Sequence, residues 1–496
     1  MIYYQCKFYQ TAPLRIGTGE REDSASDVMT DNRGRPFLPG AGIAGVLRTY
    51  LNKADENNEE HLFGIIRERT EEELEQARAE RKARGERGEP NKNLIMESRV
   101  LISDAVLPHD CDKTVYRIVT RDGIGMNDRG TVLQGAKYDF EVVECTEPYT
   151  AVIELPDRPA DKESADGQEP DAVLLERVLR EIVRHDVSFG ARTTRGYGQM
   201  KVKIRKREFV LPDAMDDWLD FDPLDAEHFG GDELTEWDGM DTAALYIRAN
   251  LKMDGSFSVR RYLSKLPQTA EKQEFVSNVP VYGPMTNQKE RPVIPGTSWA
   301  GSFRHHMRTL IKEAVPEGEK QDGLLRELND LFGTVEKKNG AEGTETIKKK
   351  SRIYFSETEV NTAAPQEIEN SGEKKSEGRK HGEYTVTRVA VERFTGAPRN
   401  QGPFSSVVAW GGQGELTIRL PADTSPELRR LLAAALNDLH MGLLTVGGES
   451  SVGRGLCRSE KLTVNEADVT EAVHSCDTGY IALPVAARPG TEGKRR

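Results

Sequence analysis

Three aspartates, Asp23, Asp27 and Asp31, recur at spacing four in the stretch GEREDSASDVMTDNRGRP. Carboxylates so placed suit a hard cation such as Mg²⁺, and a cation held there favours in-line phosphodiester chemistry. A solvated turn is the plainer reading of the same residues. RPFLPGAGIAGVLR (35–48) follows directly, and its Pro-Gly turn opens a helix. A helix that begins this way aims unpaired N–H groups and a positive dipole at an anion. Gly40 lies at the turn, Ala44-Gly45 would let the helix approach a sheet or a ligand closely, and Arg48, about two turns in, would reach a phosphate. A third group, FGARTTRGYG (189–198), combines Gly190, Arg192, Thr193, Thr194 and Arg195. Glycine backbone can approach a sugar-phosphate chain, hydroxyls bond to phosphate oxygens, and arginine supplies charge. The alternative for both motifs is packing glycines and solvated arginines. No Lys-Ser or Lys-Thr follows to make a nucleotide P-loop. His109 and Cys111 are too few for a zinc site, and no hydrolase, metalloprotease or kinase motif is present.

The turn and the loop both return in the second half. RPVIPGTSWAGSFR (291–304) matches 35–48 at seven of fourteen positions and brings Gly296 and Arg304. VGGESSVGRG (446–455) answers 189–198 with Gly447, Gly448, Ser450, Ser451 and Arg454. In the same order, HLFG (61–64) answers DLFG (330–333), and SRVLISDA (98–105) answers SRIYFSET (351–358). Thr120-Arg121 answers Thr387-Arg388, each Thr with a glycine fifteen residues on, Gly135 and Gly402. Collinear matches of this kind imply tandem duplication. His305-His306 has no counterpart in the first copy and reads as structural or solvated.

The elements that must position these motifs repeat as well. Each copy opens with a strand (2–12; 244–253), continues through the Pro-Gly turn into a helix (41–52; 297–312), and passes through β-rich segments. A second amphipathic helix then leads into the glycine loop and a last strand. Leu174, Leu175, Val178, Leu179 and Ile182 recur at helical spacing, as do Leu428, Leu431, Leu432, Ala435, Leu436 and Leu439. This is an α+β pattern: two tandem ferredoxin-like or RRM-like domains.

The chain of 496 residues carries 69 basic and 82 acidic side chains, a net charge of −13. Nine Asp and three Glu fall in 211–243, which holds no Lys or Arg. Without it the balance is 70 acidic to 69 basic, so basic surfaces remain available elsewhere. The expected division is a first domain 1–210 with a charged insertion at 54–97, an acidic linker 211–243, and a second domain 244–483 with a disordered loop at 366–383. A basic tail, 484–496, follows. The acidic segment reads as a solvated linker or as a docking patch for a basic partner. Five scattered cysteines, no apolar run near eighteen residues and no secretory leader place the chain in the cytoplasm, away from membranes.

The motifs resemble those of a known family. RPFLPGAGIAGVLR and RPVIPGTSWAGSFR are similar to the PxIPGSSLKGxLR signature of the CRISPR-associated RAMP superfamily, and the glycine loops and VERFTGAPRNQGPF (391–404) resemble further motifs of that family. The nearest group is the backbone subunits of type III effector complexes, here as a tandem fusion of type III-D-like character. The resemblance implies RRM-like cores that stack along a CRISPR guide RNA, together with a complementary target RNA and other effector-complex subunits. It implies a hairpin "thumb" in each unit, near 122–140 and 391–407, that kinks the guide–target duplex. Met126, Val132, Leu133 and Phe394 are the candidate wedges. The RNA-binding set is then Gly40, Arg48, Arg121, Gly190, Arg192, Thr193, Thr194, Arg195, Gly296, Arg304, Arg388, Arg393, Gly447, Gly448, Ser450, Ser451 and Arg454.

In active relatives an aspartate before the Pro-Gly turn supports metal-dependent target-RNA cleavage. The family pattern D-x-P-V-x-x-D, counted back from Asp31, places its first aspartate at Ala25, between Asp23 and Asp27. Either a neighbouring aspartate serves, or the site is silent, or the aspartate has been removed. Asp23 and Asp27 are the expected ligands of a transient Mg²⁺ or other divalent cation, and no organic cofactor is expected. Asn278 stands at the matching place of the second copy, which reads as inactive. The competing readings are an RNA-binding scaffold without chemistry and, less favoured, a guide-RNA-processing endoribonuclease. The last commonly needs a histidine, and the first copy has none before His61.

Overall fold

The computed structural model describes residues 1–17, 28–54, 62–85, 88–109, 111, 113–126, 132–156, 170–184, 187–230, 233–234, 244–263, 281–340, 343–362 and 383–474. Asp23, Ala25, Asp27, Asn278, all of the insertion loop 366–383 but its last residue, and the tail 484–496 lie outside these residues.

The opening strand Ile2–Gln10 alternates its side chains. Tyr4, Cys6 and Phe8 are fully buried on one face, and Tyr3 and Gln5 point to the other. It forms the centre of a five-stranded antiparallel sheet ordered Leu101–Ile102, Tyr149–Leu155, Ile2–Gln10, Gln199–Glu208, Val187–Ser188, with Phe8 opposite both Tyr149 and Val202. The second half repeats that order: Tyr354–Phe355, Gln413–Pro421, Ala244–Met253, Cys457–Val464, Ala467–Asp468. Each half is thus a ferredoxin-like α+β unit, as the sequence pattern implies.

Two helices cover one face of each sheet. Gly40–Ala54 buries Ile43, Leu47 and Leu51 at spacing four, and Gly296–Ala314 buries Trp299, Phe303, Met307 and Ile311 in the same way. The partner helices Asp171–Arg184 and Pro426–Met441 bury the leucine-rich stripes read from the sequence. The two cores are separate clusters of buried side chains, one per unit.

The acidic stretch folds onto the opposite face of the first sheet. Phe209 and Phe229 pack with Tyr3 and with the half-buried Trp218 and Phe221. Trp218 Nε1 donates to the Tyr3 hydroxyl at 3.0 Å, and Gln5 Nε2 donates to Leu224 O at 2.9 Å. Its aromatics thus cover an otherwise bare sheet face, while Asp213, Asp216, Asp217, Asp220, Asp222 and Asp225 stay at the surface.

A long hairpin rises from each unit: Tyr116–Met126 with Val132–Cys145, and Glu383–Val391 with Pro398–Trp410. Phe140 lies opposite Arg121 and Phe404 opposite Arg388. That register places Gly402 two residues before its Phe but Gly135 five before its own, so equal sequence spacing does not make these glycines equivalent. In the charged insertion, helix Glu71–Ala83 buries no side chain and begins at a Thr70–Glu73 capping box.

Candidate nucleic-acid interface

The acidic loop is pinned at its base. Gly17 bridges Val28, Met29 N donates to Ile16 O at 2.8 Å, and Val28 N donates to Glu141 Oε2 at 2.9 Å. Val28, the first described residue after the loop, is thus held by a hairpin carboxylate. Asp31 is a turn organiser: its Oδ1 accepts from the N–H groups of Arg33 and Arg35, both at 2.8 Å, and its Oδ2 from Arg35 Nε at 2.9 Å. These donors hold its carboxyl below the ordinary range against the opposing effect of burial. Asn287 does the same in the second unit for Lys289 and Arg291, both at 3.0 Å. Among the described residues no group of three His, Cys, Asp or Glu could hold a metal ion.

The first glycine loop turns through Thr193–Arg195, flanked by Arg192 and Gly196 in left-handed conformations. Gly190 is required by contact as well: a Cβ there would lie 2.2 Å from Arg15 O. That contact brings Arg15, which sequence reasoning missed, beside the loop. Arg192 lies over the rings of Tyr138 (4.6 Å) and Phe140 (4.4 Å) and donates to the Tyr138 hydroxyl at 2.9 Å. Arg15 lies over Phe140 from 4.6 Å. Burial lowers the pKa of Arg15 and Arg195 from the ordinary value, and Arg192 lowers both further. No carboxylate among the described residues pairs with these three arginines, and Arg15 Nε is buried without a hydrogen-bond partner. Phe140 is buried beneath the arginines, and the exposed ring is Tyr138; crowded cations beside it form a site that gains from a phosphate and a stacked base.

The second loop has the same backbone but different chemistry. Ser450–Val452 turns between Glu449 and Gly453, both left-handed, and Gly447 and Gly448 pack on Ser258 O. Glu449 engages Arg388, with Nη1–Oε1 at 3.3 Å and Nη2–Oε2 at 3.2 Å, and also Arg454. Ser450 and Ser451 are exposed, as is Arg393 at the hairpin turn beside the 98% exposed Phe394. The side chains of Met126, Val132 and Leu133 lie outside the described residues.

The signature turns are packed more tightly than an open anion site. A Cβ at Gly40 would lie 2.4 Å from Ile102 O, and the Gly40 N–H donates to Asp104 Oδ1 at 2.7 Å. Gly45 and Gly301, expected to permit close approach, face open space. Arg48, expected at a phosphate, instead donates to Phe63 O at 2.9 Å and to Gly64 O, tying the middle of its helix to the HLFG segment. Arg304 likewise reaches Asn329 Oδ1 at 2.9 Å, just ahead of DLFG.

The first loop and the second turn meet. A Cβ at Gly296 would lie 2.2 Å from Phe355 O and 2.5 Å from Arg195 O, so the loop of one unit sits on the turn of the next. Above this contact Arg121, 3% exposed, binds Glu144 at 2.9 Å and Glu357 of the other unit. Burial alone would depress Arg121; Glu357, Tyr197 and Glu144 lift its pKa above the ordinary value. Arg117 Nη2 to Thr286 O (3.0 Å) and Gln288 Nε2 to Thr114 O (3.2 Å) extend the junction.

Paired ferredoxin-like units that carry glycine loops, long hairpins and an arginine–aromatic cluster define the class, a tandem ferredoxin-like α+β protein. A model of the RAMP superfamily matches residues 8–201 and 275–458, more than half of the chain, and the protein belongs to that superfamily as a tandem fusion of two units. RAMP proteins are in general CRISPR RNA-binding subunits that act in multi-subunit complexes. A search of curated proteins finds no relative. No helix among the described residues is long and apolar enough to cross a membrane.

Proposed function

We propose that the chain is a guide-RNA-binding backbone subunit of a cytoplasmic type III CRISPR effector complex, of the III-D-like fused kind. Its partners are the CRISPR guide RNA, a complementary target RNA and the other subunits. The observation that carries this reading is the cluster of Arg15, Arg192 and Arg195 around Tyr138 and Phe140, which no described carboxylate neutralises. The test is purification of the chain with its RNA. A high ratio of nucleic-acid to protein absorbance supports the reading, and a nucleic-acid-free protein with no affinity for added guide RNA rejects it.

The first unit is proposed to contribute metal-dependent cleavage of the target. In such a cut the 2′-oxygen attacks the adjacent phosphorus in line and the 5′-oxygen leaves. Asp23 and Asp27 would hold a divalent cation against the developing charge, and Glu141 stands at the base of their loop. The second unit offers Asn278 at the matching place, a poor anchor for Mg²⁺. Cleavage of a labelled complementary RNA should therefore map to one unit, vanish in EDTA, and be lost in Asp23→Ala or Asp27→Ala with binding intact. A cut that survives EDTA, or that maps to the second unit, would sink the assignment. Ala25, at the family's aspartate position, favours a second reading, a silent scaffold. In that case Ala25→Asp should restore the cut.

A further inference from the structure

The two glycine loops share a backbone and differ in the sign of one side chain. Arg192 (φ 59°, ψ 30°) and Glu449 (φ 62°, ψ 32°) precede equivalent turns. Around that position the first unit places Arg15, Arg195 and Tyr197, and the second places Ser258, Val452 and Arg454. Arg388 is the counterpart of Arg121, by its place opposite the hairpin phenylalanine. In the first unit Arg121 is consumed by the junction, and the loop arginines are left without a described counter-ion. In the second unit Arg388 and Arg454 converge on the Glu449 carboxylate.

The fork that Arg388 presents to Glu449, two parallel N–H···O bonds, is the one an arginine presents to phosphate. Arg454 is 4% exposed and Arg388 about a quarter, so the carboxylate fills a pocket of charge, not a surface pair. We infer that Glu449 is a built-in stand-in for phosphate that closes the anion site of the second loop, so that the two units grip an RNA backbone unequally. An RNA phosphate arriving there meets a negative charge and two arginines already engaged. The exposed hydroxyls of Ser450 and Ser451 remain available without a charge contact. The inference rests on the RNA-binding reading and adds to it which loop rejects a phosphate and which residue is responsible.

The test is a titration of fluorescent single-stranded RNA with the full chain between 50 and 200 mM salt. Glu449→Asn removes the charge with a residue that tolerates the left-handed conformation, and Glu449→Gln keeps the side-chain length. Each additional RNA phosphate that the protein neutralises steepens the slope of log K against log salt by about 0.7 for a single strand, so the rise in affinity should be about 2- to 3-fold larger at 50 mM than at 200 mM. Glu415→Gln removes the same charge from an exposed sheet position of the same unit and should leave the slope unchanged. Thermal unfolding of each variant checks the fold. Should both Glu449 variants unfold, Arg192→Glu, which installs the block in the first unit, must flatten the slope more than Arg192→Gln, which only removes the arginine. A wild-type chain that binds no RNA overturns the functional reading. Wild-type binding with folded Glu449 variants that match it in affinity and slope, or with a folded Arg192→Glu whose slope is no flatter than that of Arg192→Gln, overturns the inference alone.

Discussion

At the scale of single residues, arginines of equal charge divide by what already holds them. Arg15 and Arg192 rest on aromatic rings without a described carboxylate, and Arg48 ties its helix to the backbone carbonyls of Phe63 and Gly64. Arg15→Ala with Arg192→Ala should weaken RNA binding whatever the sequence and flatten the salt slope by about 1.4, the equivalent of two single-strand phosphates. Arg48→Ala should leave the slope alone and cost about 1.5–3 kcal/mol of stability, the range for a hydrogen bond to a charged donor. A salt titration and an unfolding curve on the same two variants separate these outcomes. The sequence named Arg192 through its glycine loop. It could not name Arg15, because the contact of Gly190 with Arg15 O joins segments 175 residues apart that share no motif. It also could not see that Arg48 turns inward, since helical spacing gives the face of a side chain but not which carbonyls lie beneath it.

At the scale of elements, the buried Glu144–Arg121–Glu357 group links a hairpin of one unit to an edge of the other. Removing one member leaves charge uncompensated out of water, so Arg121→Gln should cost about 3–5 kcal/mol in denaturant unfolding. The short helix Thr470–His474 is held differently. His474 stacks on His440 with ring centroids 3.6 Å apart, and its Nε2 lies 3.0 Å from Ser459 Oγ. Burial lowers the pKa of His474 from the usual 6.5, and the neighbouring His440 lowers it further. The freed helix therefore binds a proton more readily than the docked one, and docking weakens as pH falls below about 6.5. Amide exchange across 470–474, corrected for its intrinsic rate, should rise from pH 7 to 5.5 in the wild type and lose that dependence in His474→Gln. The long helices were legible because Leu174 to Ile182 and Leu428 to Leu439 repeat with the helical period and must be buried together. The edge strands Leu101–Ile102 and Tyr354–Phe355 fall inside the β-rich segments 98–107 and 351–360, but a strand of two residues carries no period to fix its bounds. Nor was the packing of 211–230 on the first sheet legible, where dense negative charge masks the aromatics Trp218, Phe221 and Phe229.

At the scale of the whole molecule, duplication was visible because identity survives where backbones need it, at Gly40 and Gly296. The junction was not, because it joins a loop of one copy to a turn of the other. With a protease site placed between Leu234 and Ala244 and cut, the halves should still elute together, and Arg121→Gln should let them part. The same contact has a consequence in time. Arg121 and Glu357 are 236 residues apart, which at a synthesis rate of about 5–20 residues per second is roughly 12–47 s on the ribosome. For that interval the newborn first unit has its glycine loop bare and Arg121 paired only within its own half. Any strand of RNA or stray chain nearby meets that surface before its proper neighbour exists.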